Sequence, residues 1–292
     1  MTLSHSYLYI VNNLQNSDIE QPPRRCGVKR VGLDNRHGGK LVSTPPFVRN
    51  LQPVADRTLA GACARTGAVL NLIAPDVLCV QELQHETQAF LDGVLTAYDR
   101  VRDPFPGWTN EGNIYWCKAF FEEIGHGAEE VGHLESERRM FWVRLRLKAL
   151  GKTIFAATAH LTTARRYEEA ETGASPRVGQ LKRIADALTR LPHQGEPAFF
   201  MGDMNDPWHP QRILKQAGLL SCFAALGMQS PPTFQCYPTA NIQPGEQTVT
   251  EAIDLIAANN YARAIAACVP QCYAGDIAPS DHWPVQAVYE LV

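Results

Sequence analysis

The sequence lacks any long apolar run. The stretch from Met1 to Asn13 is broken by Ser4, His5 and Ser6 and is too short to cross a bilayer. It also lacks the basic start, apolar middle and small-residue cleavage site of a secretory leader. A surplus of positive charge is missing too: 27 Lys and Arg stand against 30 Asp and Glu, a formal net charge of -3. That balance disfavours a protein that coats duplex DNA through bulk charge, although it leaves room for local basic patches. Close cysteine pairs are scarce. Of the eight cysteines, only Cys268 and Cys272 lie near one another, with Pro270 between them, and no second close pair completes a zinc site. Several others sit in apolar, strand-like runs, as reduced buried thiols do. Reduced thiols and the missing leader predict a cytoplasmic protein with no membrane partner. No internal repeat or low-complexity tract is present.

What is there suffices for a large core: 292 residues, 45% hydrophobic and 20% charged, in the ordinary globular range. Strand-like runs cover Tyr7 to Leu14, Asp76 to Leu83, Asn113 to Ala119, Met140 to Leu147, Thr153 to Leu161, Ala198 to Met201, Ala252 to Ala258 and Val285 to Leu291. Helical patterns cover Arg57 to Ile73, Gln84 to Leu95, Gln180 to Leu191 and Gln211 to Gly218. Helices fall between some strands but not all, which predicts α/β layers with mixed sheets rather than a regular barrel. From about 15 to 56 the chain is polar and rich in Pro and Gly, and reads as a long loop. Residues 17–58 carry eight Lys or Arg against four Asp or Glu. The stretch reads either as a solvated excursion or as an electropositive flap over an anionic substrate.

The chemistry gathers at strand ends. Asp76 to Glu82 ends in a carboxylate, Ile154 to His160 in an imidazole, and Phe199 to Asp206 in a polar cluster. Asp254 stands inside the apolar run Ile253 to Ile256, and Ser280-Asp281-His282-Trp283-Pro284 precedes the last strand. A carboxylate at a buried strand end is costly unless it is paired or holds a metal, so these ends together point to one convergent site.

In this order the pieces Gln81-Glu82, Ala159-His160-Leu161, Gly202-Asp203-Met204-Asn205, Ile253-Asp254 and Ser280-Asp281-His282 resemble the endonuclease/exonuclease/phosphatase superfamily. Asn110 to Tyr115, and Pro176-Arg177 ahead of a helix, match more loosely. The resemblance runs from about Tyr7 to the C-terminus. It implies a single domain over residues 1–292, with 15–56 as a basic insertion, folded as a four-layer sandwich of two mixed β-sheets packed face to face with helices outside. It further implies hydrolysis of phosphoester bonds with Mg²⁺ or Mn²⁺, an ion that suits oxygen ligands and needs few protein carboxylates. Glu82 and Asp281 would be metal ligands, helped by an amide of the first strand. Side chains alternate along a strand, so only one of Asn12 and Asn13 can face the site, and Asn13 fits the family pattern better.

By the same resemblance Asp203 would orient or deprotonate the attacking water, and Asn205 would hold a phosphoryl oxygen or the nucleophile. His282, oriented by Asp254, would contact the phosphate. His160 would stabilise the leaving oxygen or touch a neighbouring phosphate oxygen. Asn113 stands where relatives contact the scissile phosphate, and the fork of Arg177 suits phosphate oxygens or an ordinary salt bridge. Tyr115, Trp208 and Trp283 fit either core packing or substrate contact, and Arg165 and Arg166 would border the cleft. Loops choose the substrate on a shared fold. The first expectation is a phosphodiesterase acting on single-stranded nucleic acid or a nucleotide-like diester. The alternatives are a phosphomonoesterase on a small phosphorylated metabolite and, remotely, an inactive binding module.

Overall fold

The computed structural model describes residues 6–11, 30–33, 41–44, 70, 73–163, 167–234, 251–271 and 280–292, the first three segments by their backbone alone. One six-stranded sheet is built from β1 (Ser6–Val11), β4 (Val77–Gln81), β5 (Tyr98–Arg100), β6 (Gly112–Cys117), β13 (Ala262–Cys268) and β14 (Gln286–Leu291), in the order β13-β14-β1-β4-β6-β5. The other six-stranded sheet is built from β7 (Phe121–Glu129), β8 (Met140–Leu147), β9 (Thr153–His160), β10 (Ala198–Asp203), β11 (Leu220–Ser221) and β12 (Asp254–Ala258), in the order β11-β12-β10-β9-β8-β7. Both are mixed: β1 runs parallel to β4 and β9 parallel to β10, whereas the remaining pairs are antiparallel. The helices are α1 (His85–Val94), α2 (Gly107–Asn110), α3 (Tyr167–Thr172), α4 (Pro176–Arg190), α5 (His209–Gln216) and α6 (Cys222–Ala225).

Period-two alternation on strands that are apolar on both faces explains the layering. Val77, Cys79 and Trp116 of the first sheet meet Val143, Leu145, Ile154, Phe199 and Met201 of the second in a core between the sheets. The intervening residues Phe155, Ala157 and Phe200 face outward onto Leu181, Ile184 and Leu188 of α4 and Ile213 and Leu214 of α5. On the opposite outer face Leu78, Val80 and Tyr115 pack on Leu91 and Leu95, beneath α1. The result is a four-layer sandwich, as the resemblance implied.

Differences from the sequence reading have local causes. Helix α4 starts at Pro176, ahead of Gln180, because Ser175 is extended and proline is well suited to a first turn, where its missing N–H costs nothing. Strand β7 escaped notice because Phe121–Glu129 carries glycines and charges and is only half-buried at the sheet edge. Strand β13 is an alanine-rich run with little hydrophobic contrast. The stretch read as a continuous loop over 15–56 includes a short antiparallel pair, β2 (Arg30–Leu33) and β3 (Leu41–Thr44). Of the helix expected over Arg57 to Ile73, only Leu70 and Ile73 are among the described residues, and both are helical.

Candidate active site

The parallel strands β9 and β10 bring their C-terminal residues level, with Ala159 beside Gly202 and His160 beside Asp203. Close approach is possible because residue 202 is glycine: a Cβ there would run into the Ala159 carbonyl oxygen. Gly202→Ala is therefore expected to destabilise the fold by about 2 kcal/mol or more, read as a lower urea midpoint. Strand β12 pairs on the other side of β10 and sets Asp254 opposite Asp203.

Two non-glycine residues at this edge hold left-handed backbone conformations, Glu82 at φ 51° and Asn205 at φ 49°. Such residues persist only where surrounding contacts fix them. For Asn205 the contacts are explicit. Its backbone N–H donates to Asp203 Oδ1 at 2.8 Å, and its side-chain Nδ2 donates to the Leu161 carbonyl at 3.0 Å and to His160 Nε2 at 3.1 Å. A carbonyl oxygen only accepts, so the first of these side-chain bonds fixes the amide orientation, and the second makes His160 Nε2 an acceptor. His160 is then a neutral imidazole with its proton on Nδ1. Burial, followed by the charges of Arg138, His282 and His133, holds its pKa well below the usual histidine range, in agreement.

His282 is the opposite case. Its Nδ1 is 3.0 Å from Asp254 Oδ2 and its Nε2 3.8 Å from Asp203 Oδ2. Burial pulls its pKa down, but Asp254, then Asp203 and Asp281, outweigh that and raise it. The imidazolium is the favoured form. One potential ligand atom each from Asp203, Asp254 and His282 lies within 4.8 Å of the others. A ring whose two nitrogens face carboxylates and which keeps its second proton is a poor metal ligand, so this trio reads better as a hydrogen-bonded charge cluster.

Around the cluster three carboxyl groups have raised pKa values. Burial is the largest cause for each: Asp203, with the charge of Asp254 next; Glu82, with that of Asp281 next; and Asp281, where His282 opposes the rise. Glu82 Oε1 stands 3.7 Å from His160 Nε2. Carboxylates that burial and mutual repulsion disfavour, with Glu82 27% exposed at its side chain, are groups that could hold a hard cation, whose charge would relieve them. Asn13, expected to add an amide oxygen, lies outside the described residues, as do Arg165 and Arg166.

Two residues expected to touch substrate are committed elsewhere. Asn113 is wholly buried; it donates to the Trp108 carbonyl at 2.8 Å and the Val101 carbonyl at 3.2 Å, and its Oδ1 accepts from the Ile114 N–H. It lies opposite Val80, on the face of the first sheet that looks away from the second, and ties down the loop before α2. Arg177 is 5% exposed and turns inward. Its guanidinium grips both oxygens of Glu169 at 2.5 and 2.9 Å and the Thr162 carbonyl at 3.1 Å. Tyr115 and Trp283 are buried, whereas Trp208 is 80% exposed.

Positioning residues that sequence reasoning missed surround the cluster. Every polar function of Thr162, two residues beyond His160, is engaged: by both ends of the Gln180 amide, by His133 Nε2 and by Arg177. Thr233 Oγ1 accepts from the backbone N–H groups of Ile253 and Asp254, and its carbonyl accepts from Trp283 N–H at 2.6 Å. One buried threonine thus holds together the segments that carry Asp254 and His282. Arg138, 2.7 Å from Glu111, lends positive charge to Glu82 and His160. The sequence signal that could have found Gln180 is its spacing of one helical turn from Arg177; Thr233 and Arg138 have none.

Comparison with known proteins bears on the fold and the family. TDP2 from D. rerio, solved with a single-strand DNA product, superposes with a TM-score of 0.68 at 15% identity, over 98% of this chain and 99% of that one. An endonuclease/exonuclease/phosphatase family protein from Bacteroides thetaiotaomicron gives 0.67 at 14% identity, over 99% of this chain and 98% of the other. A mannosyl-6-phosphatase from the same organism gives 0.63 at 16% identity, over 83% and 97%. At these identities the likeness shows the fold alone. A search of curated proteins finds no match. The family model described as the endonuclease/exonuclease/phosphatase family matches residues 48–282, and the chain belongs to that family.

Proposed function

We propose that the protein is a divalent-metal-dependent phosphodiesterase acting on single-stranded nucleic acid or a nucleotide-like diester, with Mg²⁺ or Mn²⁺ as the ion. The observation that carries this is the convergence of the Asp203, Asp254 and His282 cluster with His160, Asn205 and Glu82 at one edge of the two sheets. Glu82 and Asp281 would hold the ion, with Asn13 adding an amide oxygen. Bound there, it would supply positive charge against the negative charge that grows on phosphoryl oxygens.

The chain's own groups divide the remaining work. Asp203 Oδ1 is occupied by the Asn205 N–H, whereas Oδ2 lies 3.8 Å from each of the two imidazoles and is the oxygen able to take a proton from water. Both hydrogens of the Asn205 amide are spent on Leu161 and His160, so its Oδ1 can accept from the attacking water but its nitrogen has no hydrogen for a phosphoryl oxygen. Of the two roles considered for Asn205, this favours the nucleophile. His282, kept cationic by Asp254, is the donor to the phosphate. Arg177 and Asn113 serve as struts.

A second reading, a phosphomonoesterase on a small phosphorylated metabolite, draws support from the mannosyl-6-phosphatase likeness. An inactive binding module is disfavoured because Glu82, Asp203, Asn205, Asp281 and His282 are all present. We place the activity in a single domain and in the cytoplasm; the free thiols of Cys79, Cys117 and Cys222 suit a reducing compartment. The test compares bis(p-nitrophenyl) phosphate with p-nitrophenyl phosphate, in Mg²⁺ and in EDTA. Faster cleavage of the diester, abolished by EDTA, is expected. Faster cleavage of the monoester moves the assignment to the second reading, and cleavage that persists in EDTA overturns the metal requirement.

A further inference from the structure

The peptide group between Leu161 and Thr162 is bonded at both edges. Its carbonyl, on Leu161, accepts from Asn205 Nδ2 at 3.0 Å, and its N–H, on Thr162, donates to Gln180 Oε1 at 3.2 Å. The two groups belong to one rigid plane, because the bond between them does not rotate freely. The Thr162 N–H also settles how the Gln180 amide is turned. A backbone N–H only donates, so the amide oxygen faces it and Nε2 is left to donate to Thr162 Oγ1 at 2.8 Å. The hydroxyl hydrogen has His133 Nε2 as its acceptor, 3.1 Å away. Arg177 closes the frame by donating to the Thr162 carbonyl at 3.1 Å.

Thr162 and Gln180 are both buried, so water cannot stand in for a lost partner. Without Gln180 Oε1 the Thr162 N–H would be buried unpaired, a cost that rotation of the plane towards another acceptor relieves. The same rotation carries the Leu161 carbonyl away from Asn205. That amide has its other hydrogen on His160 Nε2 and its backbone in the left-handed region, so loss of the carbonyl leaves it held by one side-chain bond instead of two. We propose that Gln180 is a positioning residue for the reaction: acting through the Leu161–Thr162 peptide, it fixes the Asn205 amide and with it the Oδ1 that faces the attacking water. The inference rests on the phosphoesterase reading of the cluster and adds to it a residue on α4 whose own hydrogen bonds stop at Thr162.

The test uses Gln180→Met, which keeps the length of the side chain and removes both its acceptor and its donor. With bis(p-nitrophenyl) phosphate and saturating Mg²⁺, kcat should fall at least about tenfold and KM stay within about twofold, because a misplaced group slows the chemical step without loosening the substrate. Exchange of the Asn205 side-chain amide hydrogens, followed by ¹⁵N–¹H NMR, should quicken at least about tenfold, a readout that needs no turnover. Gln180→Glu keeps an oxygen for the Thr162 N–H and should recover most of kcat. A residue that only held the fold together would lower the urea midpoint of Gln180→Met and leave kcat and the exchange rate of the folded protein alone. That result overturns the proposal, as does a loss confined to KM or a Gln180→Glu protein no faster than Gln180→Met. The wild type tests it without any variant: its Asn205 amide hydrogens should exchange at least about tenfold more slowly than those of a free asparagine, and unprotected hydrogens overturn the proposal. If the wild type cleaves no phosphoester while Gln180→Met still quickens the exchange, the functional reading falls and the hold of Gln180 on Asn205 stands.

Discussion

His282→Ala lowers turnover by at least about a hundredfold under saturating Mg²⁺, the loss expected when a charged transition-state contact is removed. The expectation follows from where the ring's charge comes from. Its Nδ1 is held at 3.0 Å by Asp254, and Asp254 and Asp203 outweigh the burial that would otherwise strip its second proton. Asp254→Asn isolates that contribution with a smaller fall in rate and a distinctive pH signature. Losing Asp254 lowers the pKa of His282, so the imidazolium disappears at lower pH and the alkaline limb of kcat/KM moves to the acid side. Asp203 is held up first by burial and then by the same Asp254 charge, so its pKa falls too, and the acid limb also moves to lower pH. Both limbs shifting together in a pH–rate profile is the mark of one carboxylate acting on two groups. Limbs that stay fixed, or an alanine variant with wild-type turnover, would remove His282 from the mechanism.

What the sequence made legible depended on whether a residue's surroundings were written next to it. Glu82, His160 and Asp203 follow apolar strand runs, and a strand end is a place with one predictable address, so their meeting at one edge could be anticipated. Gly202 was visible as part of a motif, but its reason, the Ala159 carbonyl on the neighbouring strand, was not. Orientation was the harder question. Asn113 has the right chemistry for a phosphate contact, yet its register opposite Val80 turns it to the outer face, which composition cannot reveal. Arg177 carries a fork that fits phosphate as well as it fits Glu169, and only packing decides between them. Thr233 was illegible altogether, because its partners Ile253 and Asp254 lie some twenty residues further along the chain. The same limit hid β7, whose pairing with β8 rather than any hydrophobic period makes it a strand.

Glu82→Gln is expected to separate activity from stability in opposite directions. Turnover should fall at least about a hundredfold, because the amide keeps the shape of the side chain but gives up the anionic oxygens that a hard cation prefers. Calorimetric Mg²⁺ affinity should fall with it. The metal-free protein, by contrast, should melt at a higher temperature than the wild type at neutral pH. Burial first, and the Asp281 charge second, raise the Glu82 pKa in the folded chain above its unfolded value. A group shifted in that direction contributes full stability below its unfolded pKa and loses it as pH rises through the folded one, so the ionised carboxylate is a net cost at neutrality. Glutamine removes that cost. The gap between variant and wild type should therefore widen as the pH is raised from 4 towards neutrality, and should close when saturating Mg²⁺ stabilises the wild type alone. A variant that is less stable without metal at neutral pH would mean that Glu82 is held by favourable contacts rather than strained by repulsion. In that case its carboxylate would have no need of a cation, and the ion would have to be sought at the Asp203, Asp254 and His282 cluster instead.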